Sequence, residues 1–206
     1  MLQLYGNLGS GNCLKVKLIA DATGTPFVLH QLGLRSGDTA TPEFLKLNPA
    51  GQMPVVVLDD GRPLAQSNAI LRYLAQGSRF IPTDRYDAAK VDEWLFWEQY
   101  SPEPTVAVAR ARVVYDGQSV AELDPNLVAR GNKALDLMEK HLTGRTWLVG
   151  DSITIADIAL LPYTREASEG GFDLGSRPAL RRWIAACEQE LGLPAFAADQ
   201  KENGHG

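Results

Sequence analysis

Residues 48–70 read NPAGQMPVVVLDDGRPLAQSNAI, and three backbone devices in that stretch decide the architecture of the first part of the chain. Met53-Pro54 opens an apolar, β-branched run, Val55 to Leu58, and an X-Pro bond at the mouth of a strand is a place for a cis peptide. Proline has no N–H, so the flanking backbone groups of Met53 and Val55 can turn outward towards an extended peptide, as in strand addition at a sheet edge. Asp60-Gly61, between that run and the short segment Pro63 to Ala65, is a hairpin signal that makes the two runs antiparallel neighbours. Gln66-Ser67-Asn68 then opens a helix with Ile70, Leu71 and Leu74 at apolar spacing. Ser67 is suited to the N-cap, and the N–H groups of a helix start are a carboxylate site. The combination reads as a site for a short peptide with a carboxylate end.

The flanking sequence completes an α/β domain. Leu2 and Leu4 before Tyr5-Gly6 read as a strand, Asn7 to Gly11 as a loop around Ser10, and Leu14, Leu18, Ile19 and Ala22 as one face of a helix from Asn12 onward. Gly24 and Pro26 stop that helix, and Phe27 to Leu32 is a second strand, parallel to the first because the crossover is long. Pro42 starts a short amphipathic piece with Phe44, Leu45 and Leu47. The order is βαβ, then α, then ββα, over residues 1–76, with the Met53-Pro54 corner facing the Ser10 loop.

Residues 77–85, with Gly77, Pro82 and Thr83, read as a linker, and 86–206 as an all-α helical bundle. Asp87 to Gln99 is helical and rich in aromatics at Trp94, Phe96 and Trp97; Pro102 and Pro104 interrupt it, and Val106 to Val114 continues the pattern. Asp124-Pro125 is an N-cap and N1 pair, followed by Leu127, Gly131, Ala134, Leu135, Met138 and Leu142 on a core face. Thr154 to Asp157 has capping-box spacing, with Ile153 and Ile158 as a hydrophobic staple, ahead of a helix apolar nearly all round. Pro178 to Leu191 is the last clear helix, and Gln200 to Gly206 reads as frayed.

Composition narrows the function classes. In 206 residues, 25 acidic side chains exceed 20 basic ones, giving a net charge of −5 that disfavours a broad nucleic-acid or anionic-membrane footprint. No run reaches the length of a membrane span and MLQLYGN lacks the regions of a signal peptide, so the expected location is the cytoplasm. Cys13 and Cys187 form no CxxC, and His30, His141 and His205 have no metal-ligand spacing, so no metal is expected. His141 reads as a charge near a helix C-terminus, and Arg110 with Arg112 as a solvated face, the alternative being a pairing with acids across a dimer or with an anionic substrate.

The pattern Asn48-Pro49-x-Gly51-x-x-Pro54-Val55, followed by Gln66-Ser67-Asn68-Ala69-Ile70, resembles the thioredoxin-like domain of glutathione S-transferases, and the likeness covers nearly the whole chain. Gly150 to Asp157 is similar to the folding signature of that family's helical domain. The resemblance implies a bacterial-type homodimer that takes glutathione as co-substrate and conjugates it to an electrophilic apolar small molecule. It places the thiolate-stabilising hydroxyl on Ser10, with Asn12 similar to the thiolate-contacting asparagine of nu-type enzymes. On position alone, Ser10 reads equally as an N-cap or loop residue, and Asn12 as the cap. Tyr5 reads as packing.

The resemblance further implies the γ-glutamyl carboxylate on Ser67, its ammonium near Gln66, the glycyl end near Gln52, and the cysteinyl unit along Met53, Pro54 and Val55. Gln66 departs from the commoner Glu and gives a neutral contact. Leu8, Leu34, Tyr100, Pro104 and Val108 are the expected second-substrate pocket. Cys13, in a first helical turn, is a rival nucleophile, yet its register differs from that of the cysteine-type enzymes and a buried structural thiol is the favoured reading. Two other functions stay open: glutathione-dependent reduction of disulfides or peroxides, and a transferase-like binding module without thiol chemistry.

Overall fold

The computed structural model describes residues 1–196, and the expected fraying of Gln200 to Gly206 lies outside them. The chain divides into two compact units after Thr83. In the first, strand β1 (Leu2–Gly6), helix α1 (Gly11–Ala22) and strand β2 (Phe27–Gln31) form the βαβ opening. β1 and β2 are parallel, with Leu2 opposite Phe27 and Gly6 opposite Gln31. Helix α2 (Pro42–Leu47) starts at Thr41, whose hydroxyl accepts the Phe44 N–H. β3 (Val55–Val57) and β4 (Pro63–Ala65) form the antiparallel hairpin, Gly61 turns between them at φ 84°, and helix α3 (Ser67–Ala75) follows. The sheet order is β2-β1-β3-β4, with β1 antiparallel to β3.

Alternation along β1 sends Leu2, Leu4 and Gly6 inward. Val16, Ile19, Val55, Val56, Ile70 and Leu71 meet Leu4 in a core from which each is fully excluded from water. Such side chains contribute about 1.5–3 kcal/mol apiece. On the other face of β1, Tyr5 stacks on its register partner His30 with ring centroids 4.3 Å apart, so Tyr5 is packing.

The second unit is helical. α4 (Arg85–Tyr100) begins slightly ahead of the expected Asp87, because Asp84 supplies the cap by accepting the Asp87 N–H. The proline interruption takes a specific form, a π-helical turn at Glu103–Ala107 before α5 (Val108–Val114). The Pro102 carbonyl accepts from the N–H groups of Thr105, Val106 and Ala107, and the Thr105 hydroxyl donates to the Ser101 carbonyl. Pro102 and Pro104 bring no N–H of their own, so the i→i−4 ladder is broken here; the Ala107 N–H reaches back five residues to the Pro102 carbonyl, which widens the turn.

Helices α6 (Pro125–Leu142), α7 (Ile155–Arg165) and α8 (Pro178–Glu190) complete the bundle. Every residue of α7 is buried. Its capping box holds: the Thr154 hydroxyl accepts the Ala156 N–H, and Asp157 accepts the Thr154 N–H at 2.9 Å. The same carboxylate accepts from the Thr154 hydroxyl, the Leu148 N–H and the Trp183 indole, tying α7 to α8 and to the preceding loop. Burial pushes the Asp157 carboxyl up, against the donors that pull it down.

One reading of charge in this unit is corrected. Arg110 is buried, donating to Glu169 at 2.8 Å, to Glu166 at 3.0 Å and to the Tyr115 hydroxyl at 3.1 Å, so it is committed inside the unit and not to a solvated face. His141 lies in the last turn of α6, as expected; its ring packs against Trp94 at 4.8 Å, and its Nε2, 2.8 Å from the Leu148 carbonyl, must carry a hydrogen because a carbonyl only accepts.

Among the described residues, no helix is long and apolar enough to cross a membrane, and no group of three or more His, Cys, Asp or Glu is placed to hold a metal ion.

Candidate functional site

The loop after β1 is built by Asn7. Its carbonyl accepts the Ser10 N–H, its side-chain oxygen accepts the Gly9 N–H at 2.9 Å, and its amide nitrogen donates to the Leu32 carbonyl at 2.7 Å. This pins the loop to the end of β2 and delivers Ser10 to the N-cap of α1, in extended backbone conformation and with no side-chain capping bond. The Ser10 hydroxyl therefore caps no N–H of the helix.

Cys13 is fully buried behind it. The Asn7 N–H and the Ser10 hydroxyl donate towards its sulfur, yet burial dominates and pushes the thiol above its ordinary value. A Cβ added to Gly6 would lie 2.6 Å from that sulfur and 3.9 Å from Pro54, so only glycine lets β1, the thiol and the proline corner meet.

Asn12, in the first turn of α1, reaches across to α3. Its side-chain oxygen accepts from Lys15 Nζ at 2.8 Å and from the Ser67 hydroxyl at 3.0 Å. Lys15 and Ser67 are both buried, Lys15 completely. The bond joins the starts of two helices whose N–H groups and dipoles favour negative charge.

At α3 the expected cap is displaced by one residue. Gln66, not Ser67, is the N-cap, with φ 70° and ψ 110°, and Ser67 is the first helical residue. A non-glycine residue held there costs on the order of 1–3 kcal/mol, which marks Gln66 as a position shaped for more than chain reversal.

The third part is the proline corner, where Met53-Pro54 is cis. Asn48 shapes the approach: its amide donates to the Gln52 carbonyl at 2.7 Å and its side-chain oxygen accepts the Ala50 N–H. Pro54 and Val55 are buried, Met53 is half-buried and Gln52 is exposed. Strand addition at a sheet edge is corrected in one respect, because β3 is an interior strand, flanked by β1 and β4. Backbone for a docking peptide is therefore confined to the corner itself.

The structure thus gathers Ser10, Asn12, Pro54 and Ser67 around the starts of α1 and α3. The residues expected to form a second-substrate pocket are divided between the units. Leu8 and Leu34 are half-buried in the first. In the second, Tyr100 lines a cavity of about 460 Å³ with Trp97, Thr105, Arg130 and Lys133, which neither Pro104 nor Val108 lines. Lys15, Asn7 and Asn48 are site-shaping residues that sequence reasoning passed over. The Asn-Pro-x-Gly pattern could have pointed to Asn48; a lysine inside a helix gives no such signal.

A thioredoxin-like sheet whose cis-proline corner meets the start of α1, followed by an all-helical unit, defines the transferase type of thiol-handling protein. Comparison with known proteins identifies which one. The family models of the glutathione S-transferase N-terminal and C-terminal domains match residues 1–76 and 96–190. Glutathione S-transferase 3 of Zea mays is 32% identical over 95% of this chain and 91% of its own length. A crystal structure of a glutathione S-transferase from Pseudomonas fluorescens superposes with a TM-score of 0.88 at 44% identity, covering 91% of this chain and 94% of that one. One from Xanthobacter autotrophicus gives 0.87 at 42% identity over 95% of both chains. The chain belongs to the glutathione S-transferase family.

Proposed function

We propose that this protein conjugates glutathione to an electrophilic apolar small molecule, with Ser10 and Asn12 stabilising the thiolate. The observation that carries the reading is the Asn12–Ser67 hydrogen bond, which joins the position read for the thiol to the position read for the glutamyl carboxylate. Ser67 and the N–H groups at the start of α3 receive that carboxylate, Gln66 lies beside the ammonium, Gln52 towards the glycyl end, and the Met53–Pro54–Val55 corner beside the cysteinyl unit. Leu8, Leu34, Tyr100, Pro104 and Val108 remain the residues read for the electrophile.

The energetics are sufficient. A free cysteine thiol ionises near pH ~8.5, and each unit of lowering requires about 1.4 kcal/mol. One hydrogen bond to a charged acceptor supplies about 1.5–3 kcal/mol, which lowers the thiol by about one to two units, so donors from Ser10 and Asn12 together make the thiolate prevalent at neutral pH. The sulfur then forms a bond to the electrophilic carbon, the leaving group departs with its electron pair, and the thiol proton goes to solvent.

Chlorodinitrobenzene tests this. A thioether product is expected, with turnover falling about 10²-fold or more in Ser10→Ala combined with Asn12→Ala, the scale of losing oriented donors to a developing anion. Unchanged turnover in the double variant contradicts the roles, and oxidised glutathione as the product indicates a reductase. The protein is also read as a cytoplasmic homodimer. Exposed Phe96 on α4 and Leu137 on α6 support a partner surface. Light scattering at twice the 22.4 kDa chain mass is the expected result.

A further inference from the structure

Asn7 joins two loops of the first unit. Its amide orientation is fixed by its partners: the side-chain nitrogen donates to the Leu32 carbonyl at 2.7 Å, and the side-chain oxygen accepts the Gly9 N–H at 2.9 Å. A carbonyl only accepts and an N–H only donates, so the reverse orientation loses both bonds. The Asn7 main-chain N–H reaches Cys13 Sγ at 3.4 Å in the first turn of α1, and its carbonyl accepts the Ser10 N–H at 2.9 Å. The bond to Gly9 is an ordinary Asx turn, which aspartate makes as well as asparagine. Only the donor to Leu32 requires an amide.

Leu32 begins the loop that follows β2. Its N–H is held by the Gly6 carbonyl at 2.9 Å, and Asn7 is the short partner of its carbonyl. The exposed Gln31 amide lies 3.5 Å from the same carbonyl, the outer edge of a hydrogen bond. Gly33 gives its N–H to the Asp38 carboxylate at 2.7 Å and accepts the Ser36 hydroxyl at 3.0 Å, and a Cβ on it would lie 2.6 Å from that of Ser36. The turn from Gly33 to Asp38 is therefore closed on itself, with Leu34 inside it. Asn7 Nδ2 ties its root, at Leu32, to the loop that carries Leu8 and Ser10.

We propose that Asn7 is a positioning residue that couples the two halves of the reaction: it aims Ser10 at the thiol, and through Leu32 it holds the Leu34 loop in register with Leu8 for the electrophile. This rests on the reading above, in which Ser10 donates to the thiolate and Leu8 and Leu34 face the electrophile. Small displacements of oriented groups are costly to a reaction between two bound partners. None of the four Asn7 bonds runs to α3, so the carboxylate end of glutathione is left as it is.

The test is steady-state kinetics of the full chain with glutathione and chlorodinitrobenzene, together with ultraviolet titration of the bound thiol. In Asn7→Ala, KM for chlorodinitrobenzene is expected to rise about two- to tenfold, the scale of one neutral hydrogen bond. The bound thiol's titration midpoint should rise towards its value in Ser10→Ala, while affinity for S-methylglutathione, which has no thiol to ionise, should hold. Combining Asn7→Ala with Ser10→Ala should add nothing further to the midpoint and still raise the electrophile KM. Mere packing would lower the melting temperature and leave these constants at the parent's values in the folded protein. Should the alanine variant not fold, Asn7→Asp keeps the turn to Gly9 and loses only the donor to Leu32. The same rise in electrophile KM is then expected. A parent-like electrophile KM in either folded variant, or a midpoint rise in Asn7→Ala that persists in full on Ser10→Ala, would overturn the inference while leaving the glutathione reading intact. A bound thiol that titrates alike with and without Ser10 would overturn the Ser10 reading, and this inference with it.

Discussion

Asp157→Ala is the substitution whose cost follows most directly from the structure. The carboxylate is completely buried and accepts four hydrogen bonds: Leu148 N–H at 3.0 Å, Thr154 N–H at 2.9 Å, Thr154 hydroxyl at 3.1 Å and Trp183 indole at 2.8 Å. The hydroxyl can rotate to another acceptor; the other three donors are held by backbone or by a packed ring. Each buried donor left without an acceptor costs about 1–3 kcal/mol, so truncation removes on the order of 3–9 kcal/mol, a large part of the 5–15 kcal/mol typical of a whole protein. Even the lower figure predicts a fall in melting temperature of at least about 6 °C for a chain of this size. Asp157→Asn separates geometry from charge. Its oxygen still accepts from Leu148 and Trp183 while its amino group faces the Thr154 N–H, so it should fall between alanine and the parent. Differential scanning calorimetry of the three proteins is the assay. An alanine variant melting within about 2 °C of the parent would refute the assignment of Asp157 as the hub joining α7, α8 and the Leu148 loop.

The cysteines should both resist a thiol reagent in the folded protein and react only in denaturant, since burial raises both thiols; rapid native labelling of Cys13 would contradict its structural role. Gly6→Ala should destabilise by about 1–3 kcal/mol through overpacking against the Cys13 sulfur, and adding Cys13→Ala should recover much of the loss in a denaturant titration. Additive losses would show that the contact is not the cause. Burial raises the Glu166 carboxyl above its ordinary value of 4.5, partly offset by Arg110. A raised folded-state value gives stability that is complete below pH 4.5 and lost as pH rises through the folded value. Glu166→Gln should therefore gain on the parent as pH rises across that window, with Arg110 still held by Glu169. A difference independent of pH would argue against it.

Features governed by neighbouring residues were legible in the sequence. The parallel βαβ opening, the Asp60-Gly61 hairpin and the Thr154–Asp157 box each depend on a few adjacent residues, and the structure has all three. Positions decided by tertiary contact were not. Serine is the better cap by propensity, yet Gln66 takes the cap with positive φ and Ser67 turns inward to Asn12. Arg110 reads as solvent-facing because of its charge, and only partners distant in sequence, Glu166 with Glu169 beyond α7, hold it inside; the complete burial of Lys15 gives no signal in the sequence. Two prolines announce an interruption after Tyr100, but not that one carbonyl would gather three N–H donors into a π turn.

Ultraviolet difference titration of glutathione bound to the protein, following thiolate absorbance against pH, tests thiol activation most directly. The expected result is a thiolate that appears well below the free thiol's value of about 8.5 and is lost in Ser10→Ala. Bound glutathione that titrates like the free thiol, or a lowered value that survives loss of both Ser10 and Asn12, would contradict it.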